Sequence, residues 1–145
     1  MKVREIMSRD PVCCVPEDTA QNVASKMCEH NVGSFPVVSD WDSKKLVGIV
    51  TDRDLCCTII AQGLDAKTTK VRPFIHQKPV SCRPDHDLEN CEQAMQQHQI
   101  RRIPVVDDQG ACIGMVAQAD IALAVGPKDV QKTVAEISRT RPVKL

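Results

Sequence analysis

The sequence predicts a mixed α/β (α+β) fold in which two copies of a β-α-β-β-α unit pack as a pseudo-two-fold pair. The first observation is an internal repeat: residues 11–38 align without a gap on residues 79–106, with 10 of 28 positions identical. The second is that the match resumes when residues 46–54 are laid over residues 112–120. The third is that strand and helix patterns alternate in the same order in both copies. Two such short copies should together form one module.

The first copy spans residues 1–62, and each of its elements has a local cause. Apolar residues at spacings of three and four predict a helix over residues 20–30, with Asp18 or Thr19 as its N-cap. The nearly continuous apolar run Leu46–Thr51 predicts a strand buried on both faces. The remaining predicted elements are a strand Val12–Val15 closed by Pro16, a strand Phe35–Val38, a polar hairpin loop Asp40–Lys44, and a helix Asp52–Ala61 ended by Gly63.

The second copy spans residues 71–126 and repeats this order after a polar, exposed linker at residues 63–70. Residues 127–145 form a C-terminal segment in which Lys128–Ile137 is predicted to be one more helix and the basic end to be loose. The predicted elements of the second copy are strands Val80–Cys82, Ile103–Val106 and Cys112–Ala117, and helices Leu88–His98 and Ala119–Val125.

Charge and composition exclude several classes of protein. The formal net charge is zero, so no overall field attracts nucleic acid or an anionic membrane. No apolar stretch approaches the length of a membrane span, and the first residues have no secretory-signal pattern. We therefore expect a cytoplasmic protein without a membrane partner.

The eight cysteines have the wrong spacing for a structural zinc site. Cys13-Cys14 and Cys56-Cys57 are adjacent pairs, the other four are scattered, and no C-x-x-C occurs. Structural zinc sites use two ligand pairs at short separations. Most of these cysteines stand at apolar positions of the repeat, so we expect small buried hydrophobic side chains and no metal site.

Two predicted helices are apolar nearly all round. Residues 55–61 and 121–125 each lack the polar face of a helix that packs on one side only. Such helices need a second partner besides their own sheet. We expect the other repeat to supply part of that cover and a second subunit to supply the rest, which predicts a homodimer.

Three phrases recur in the same order in both copies: PV-x-C-x-P at the start, h-P-V-V (h, hydrophobic) before the hairpin, and G-h-V-x-x-x-D after it. Together they resemble the cystathionine β-synthase (CBS) domain, here as a stand-alone tandem pair of the kind called a Bateman module. The resemblance covers residues 3–126. It implies a regulatory module without catalysis that binds an adenine nucleotide or adenosyl ligand in the clefts between the repeats.

The resemblance also implies where the main cleft lies. In the family the Asp that opens the last helix holds the ribose hydroxyls, and a Thr or Ser three residues earlier contacts phosphate; Asp54 and Thr51 match this pattern. A carboxylate can accept hydrogen bonds from both ribose hydroxyls, and a helix N-terminus offers amides to phosphate. The main cleft is predicted to contain Ile49, Thr51, Arg53, Asp54, Ile75, Lys78, Val80, Ile100 and Arg101.

The second copy departs from this pattern. Ala117 and Ala119 stand where the first copy has Thr51 and Arg53, although Asp120 is kept. This cleft has therefore lost two phosphate contacts and is expected to be the weaker one. It is predicted to contain Met7, Asp10, Val12, Val32, Gly33, Arg102 and Asp120.

Other interpretations stay open at this point. Asp54 and Asp120 are also good helix caps, and Thr51 is an ordinary strand residue. The two competing functions are nucleic-acid binding, for which the sequence has few stacking aromatic residues, and a thiol or metal redox sensor. No cofactor is expected to be required; the expected regulatory ligand is AMP, ADP or ATP, with or without Mg²⁺. The downstream protein partner is not indicated by the sequence.

Overall fold

The structure is a computed structural model that describes residues 1–139. Two single 3₁₀ turns, Val3–Glu5 and Arg72–Phe74, precede the first and fourth strands. In chain order the strands are β1 (Ser8–Arg9), β2 (Ser34–Val38), β3 (Leu46–Thr51), β4 (His76–Gln77), β5 (Arg102–Val106) and β6 (Cys112–Ala117), and the helices are α1 (Ala20–His30), α2 (Asp52–Leu55), α3 (Leu88–His98), α4 (Gln118–Ala124) and α5 (Pro127–Ser138).

The chain divides into two compact units, and each is named here after one acidic residue. The Asp54 unit comprises Pro11–Pro79 and Asp108–Cys112. The Asp120 unit comprises Met1–Asp10, Val80–Asp107 and the chain from Ile113 onward. Each unit therefore contains the segment that enters the other sequence repeat, residues 71–79 in the first case and residues 1–10 in the second.

The Asp54 unit is built on a three-stranded sheet in the order β2-β3-β4. β2 and β3 form an antiparallel hairpin in which Phe35 faces Val50 across the ladder. The hairpin turn is held by Asp40, whose carboxylate accepts the backbone N–H groups of Asp42 at 3.0 Å and Ser43 at 2.7 Å. The bonds from Ser43 keep the pKa of Asp40 below its ordinary value.

α1 begins and ends as its sequence predicts. The Thr19 hydroxyl accepts the Asn22 N–H at 3.2 Å, and Asn31 ends the helix in the left-handed conformation at φ 52°. The linker is exposed along most of its length, yet Ala20 donates its N–H to the Thr69 carbonyl at 2.8 Å. Beside this contact the Glu17 carboxylate bonds to Lys70 and to Arg72, which together lower its pKa to about 2. The linker is therefore anchored at the start of α1.

The Asp120 unit repeats this plan with a sheet in the order β1-β6-β5. α3 ends at Gln99, which is left-handed at φ 51°, as Asn31 is in the first copy. The predicted C-terminal helix is present as α5, and it packs on α3 and α4 with Thr133 and Ile137 buried. The last six residues, 140–145, lie outside the described residues.

The cores of the two units use matched positions of the repeat. Each contains ten buried residues, and nine of them correspond one to one. The tenth differs, being Ile59 after α2 in one unit and Ile137 of α5 in the other. The matched pairs are Cys14/Cys82, Ala20/Leu88, Val23/Cys91, Met27/Met95, Phe35/Ile103, Val37/Val105, Val50/Val116, Leu55/Ile121 and Val71/Val3.

The predicted entry strands Val12–Val15 and Val80–Cys82 are wrong in extent. Each is reduced to one parallel bridge, Cys14 to Val37 and Cys82 to Val105. Prolines at both ends of these segments lack the N–H groups that a longer ladder needs. The sheets are extended instead by β1 and β4, which the sequence pattern did not predict.

Two further predictions for the first copy need correction. β3 is not buried on both faces, because only Gly48 and Val50 are fully buried and the other four residues of the strand are half-buried. The helix predicted over Asp52–Ala61 is regular only as far as Leu55, and Cys56–Ile60 continues it as a π-helical turn. Gly63 does follow the end of this segment with a positive φ of 68°.

Candidate functional site

The junction between β3 and α2 holds Thr51 and Asp54 in a fixed relation. The Thr51 hydroxyl accepts the Asp54 N–H at 3.1 Å, and the Asp54 Oδ2 accepts the Thr51 N–H at 2.8 Å. This is a reciprocal capping box, in which two side chains satisfy amides that the first turn of a helix leaves free. The carboxylate is thereby oriented by backbone rather than by flexible contacts, and its side chain is only 16% exposed.

The second oxygen of Asp54 faces β4. The His76 Nε2 lies 2.8 Å from the Asp54 Oδ1, and the imidazole is 66% exposed. Sequence reasoning missed His76, although it stands on the entry segment between two predicted site residues, Ile75 and Lys78. Ile75 is half-buried against the core of this unit, and Ile49 lies opposite His76 in the sheet.

Two of the three cationic residues predicted for this cleft, Arg53 and Lys78, belong to the Asp54 unit. Arg53 and Lys78 are both exposed, and Lys78 adopts a left-handed backbone at φ 52°. An exposed guanidinium or ammonium group can reach a phosphate. Six of the residues predicted for the main cleft lie in one compact unit, namely Ile49, Thr51, Arg53, Asp54, Ile75 and Lys78.

The amides at the start of α2 are not open to a ligand, which corrects the expectation that this helix end offers them to phosphate. Asp52 donates its N–H to the Gly33 carbonyl at 2.9 Å. Arg53 donates its N–H to the Asp52 Oδ1 at 2.8 Å, and the Asp54 N–H is bound by Thr51. The donors that this junction leaves available to a ligand are therefore on side chains and not on these amides.

Three residues predicted for the main cleft belong to the Asp120 unit, namely Val80, Ile100 and Arg101. Within that unit the Arg101 carbonyl accepts the Gln118 N–H at 2.8 Å, beside the start of α4. Their part in the Asp54 site stays a prediction.

The corresponding junction before α4 keeps half of the capping arrangement. The Asp120 Oδ2 accepts the Ala117 N–H at 2.7 Å, but the alanine side chain has no acceptor for the Asp120 N–H. Arg102 is the first residue of β5. It belongs to the same unit as Asp120, Met7 and Asp10. Val12, Val32 and Gly33 belong to the Asp54 unit, so the composition of this second cleft also stays a prediction.

The cysteines divide into two groups. Cys13, Cys14, Cys82, Cys91 and Cys112 are buried as expected, but Cys28, Cys56 and Cys57 are exposed, because α1 and the π-helical turn direct them away from the core. Burial raises the pKa of Cys14 to about 12, which keeps this thiol protonated. Among residues 1–139 no cluster of three or more histidine, cysteine or acidic side chains is arranged to hold a metal ion.

Comparison with known protein families identifies the family to which the chain belongs. A model of the CBS domain matches the chain twice, at residues 3–60 and 71–126. The chain belongs to the CBS domain family. The CBS domain-containing protein YhcV of Bacillus subtilis is 40% identical over 121 residues, which are 83% of both chains. A match to the inosine-5′-monophosphate dehydrogenase of Methanocaldococcus jannaschii covers only 23% of that enzyme.

Solved structures of CBS proteins share the fold. Hypoxic response protein 1, crystallised with two coordinated zinc ions, has a TM-score of 0.78 at 28% identity, over 87% of this chain and 100% of that one. The CBS domain pair of protein MJ0100, in complex with 5′-methylthioadenosine and S-adenosylmethionine, has a TM-score of 0.75 at 25% identity, over 88% and 98%. CBSX2 in complex with AMP has a TM-score of 0.73 at 26% identity, over 85% and 94%.

Proposed function

We propose that this CBS pair is a non-catalytic regulatory module that binds an adenine nucleotide or adenosyl compound, with Asp54 accepting the ribose hydroxyls. The supporting observation is the geometry of the β3–α2 junction, where a capping box presents a half-enclosed carboxylate beside Thr51 and Arg53. MJ0100 and CBSX2 are similar proteins crystallised with adenosyl ligands. Ligand binding then acts through a change of conformation or of protein partner.

The finer assignment is part of the same proposal. Ile49, Ile75 and Val80 suit the apolar surroundings of an adenine ring, whereas Arg53, Lys78 and Arg101 suit a phosphate. The Asp54 site is proposed to be the stronger one, because Ala117 and Ala119 remove a hydroxyl and a cation from the Asp120 site.

A thermal-shift panel tests the function directly. A ligand that binds only the folded state raises the melting temperature, by an amount that grows with its concentration above Kd. The panel contains AMP, ADP, ATP, S-adenosylmethionine and 5′-methylthioadenosine, each with and without Mg²⁺. Adenine and the 2′- and 3′-deoxy forms of AMP serve as matched controls that lack one or both hydroxyls. We expect AMP to stabilise the protein and the deoxy forms to do so less; no shift with any adenosyl compound would contradict the proposal.

Zinc is the second candidate ligand, because hypoxic response protein 1 holds two zinc ions. The same assay separates the two ideas. A strong chelator should leave the melting temperature unchanged if the cysteines only pack, whereas a large loss of stability would favour a metal sensor.

We also propose that the module is a homodimer. Two large apolar side chains project from the helices that sequence analysis singled out: Ile60 is 76% exposed and Leu123 is 90% exposed. A stable dimer interface buries more than about 1,000 Å² in total, and apolar helix surfaces of this kind are suited to it. Light scattering at low micromolar concentration should report about twice the monomer mass of 16.0 kDa. A monomer at that concentration would contradict the proposal.

A further inference from the structure

The acidic side chain proposed to bind ribose has both oxygens engaged. Its Oδ2 accepts the Thr51 N–H at 2.8 Å, and its Oδ1 lies 2.8 Å from the His76 Nε2. The first contact belongs to the helix cap and is made within three residues of chain. The second joins residues 22 positions apart and places a side chain on the oxygen that the cap leaves free.

The position of His76 is set by strand pairing. β4 is antiparallel to β3, with His76 opposite Ile49 and Gln77 opposite Gly48. A side chain at Gly48 would come within 2.9 Å of the His76 carbonyl oxygen, so only glycine allows this close approach. Since β3 leads into α2 through Thr51, this register places the imidazole over the first turn of the helix.

The second repeat offers a natural comparison. Ser8 of β1 lies opposite Met115 of β6, as His76 lies opposite Ile49. A serine hydroxyl is shorter than an imidazole and carries no charge. The side-chain contact that covers Asp54 therefore cannot form in the same way at Asp120.

We propose that His76 competes with the ribose hydroxyls for Asp54 and so acts as an intramolecular inhibitor of the site. The inference rests on the proposed function. The Oδ1 is the oxygen that the helix cap leaves free, and the imidazole occupies the approach to it, so a ribose hydroxyl that binds there has to displace His76. The apparent affinity is then reduced by the fraction of molecules in which the contact is closed.

The same contact makes binding depend on pH. Histidine changes charge in the physiological range, and an imidazolium holds a carboxylate more strongly than a neutral ring does. Among the elements in contact with His76, α2 carries the charged residues Asp52, Arg53 and Asp54, its own segment carries Lys78, and β3 carries none. Lowering the pH should therefore strengthen the contact and weaken binding.

The test uses calorimetric titration of the full chain with AMP and with adenosine, which has no phosphate to titrate. His76→Ala should bind both ligands about two- to five-fold more tightly than the wild type, as expected for loss of an exposed ion pair. It should also lose the weakening that the wild type shows for adenosine between pH 7.5 and 6.0. Ser8→Ala, the matched change in the second repeat, should alter neither property. His76→Gln keeps a neutral hydrogen-bonding side chain and should lose the pH dependence as well.

The outcomes separate the two proposals. Unchanged or weaker binding by a folded His76→Ala variant overturns the competition, and weaker binding assigns His76 to the ligand instead. Binding by His76→Ala alone, with a silent wild type, supports the competition in its strongest form. Failure of every variant, including His76→Ala, to bind any adenosyl ligand overturns the proposed function, and the competition with it.

Discussion

The helix that follows the hairpin begins differently in the two repeats. In the first, Thr51 and Asp54 cap each other's backbone N–H groups and His76 covers the outer carboxylate oxygen. In the second, Ala117 offers only its own N–H to Asp120. The cores beneath these junctions are nevertheless built from nine matched pairs of residues.

This contrast separates two kinds of constraint on a duplicated chain. A core position is surrounded on all sides, so both copies keep an apolar side chain there, even where its size differs, as between Ala20 and Leu88. The helix start lies at the surface, where a hydroxyl, a cation or an imidazole can be present in one copy and absent from the other without disturbing the packing. The residues in which the copies differ at this junction are therefore the ones to examine for function.

The largest expected difference concerns ligand affinity. Asp54→Ala should weaken AMP binding by about 10- to 150-fold, which corresponds to about 1.5–3 kcal/mol for hydrogen bonds to a charged group. Asp120→Ala should have a smaller effect, because its site lacks the hydroxyl and the cation of the first. Titration calorimetry on both variants measures the difference. If Asp120→Ala eliminates binding while Asp54→Ala has no effect, the ranking of the two sites is wrong.

The parts of the fold that sequence analysis predicted are those with local causes. α1 and α3 begin and end where the apolar spacing predicts, at Ala20–His30 and Leu88–His98. Each helix is defined within about a dozen residues by its apolar stripe, and the start of α1 is also marked by its cap Thr19. The repeat itself extended this prediction from one copy to the other.

The parts that could not be predicted depend on distant pairing. β4 has two residues and no alternating pattern, and it is a strand only because β3 lies beside it. The contact between His76 and Asp54 follows from that pairing and has no sequence signature. The exposure of Cys56 and Cys57 was missed for a similar reason, because an apolar run does not reveal a π-helical turn.

A smaller effect is expected when the helix cap is exchanged between the repeats. Thr51→Ala should lower the free energy of unfolding by about 1 kcal/mol, because it leaves the Asp54 N–H without an acceptor. Ala117→Thr should raise it by a similar or smaller amount, by supplying the hydroxyl that α4 lacks. Thr51→Ser is the control that keeps the acceptor. Urea unfolding measures all three; no change in Thr51→Ala would show that the capping contact adds nothing to stability.

The smallest expected effect is on the melting temperature and concerns α5. This helix packs on α3 of the second repeat, and the first repeat has no counterpart of it. α5 and α3 enclose a groove of about 230 Å³ with acidic Glu89, Glu92 and Asp129 beside Lys132. The matched position in α1 is the exposed Ala24, whereas the Oε1 of Glu92 is buried without a hydrogen-bond partner among the described residues. Burial, and then the charges of Asp129 and Glu89, raise the pKa of Glu92 above its ordinary value of 4.5.

A carboxyl group whose pKa is raised by folding favours the folded state only while it is protonated. Its contribution is complete below pH 4.5, the ordinary value, and is lost as the pH rises through the raised pKa. Glu92→Gln removes the charge and keeps the shape, so it should raise the melting temperature by about 1–3 °C at pH 7.5 and leave it unchanged near pH 4. Glu89→Gln is the control: it makes the same change of charge, but Glu89 is exposed and has no buried oxygen like the Oε1 of Glu92. It should therefore have a smaller effect on the melting temperature. A fall in melting temperature for Glu92→Gln at pH 7.5 would mean that Lys132 stabilises the ionised carboxylate by more than burial opposes it.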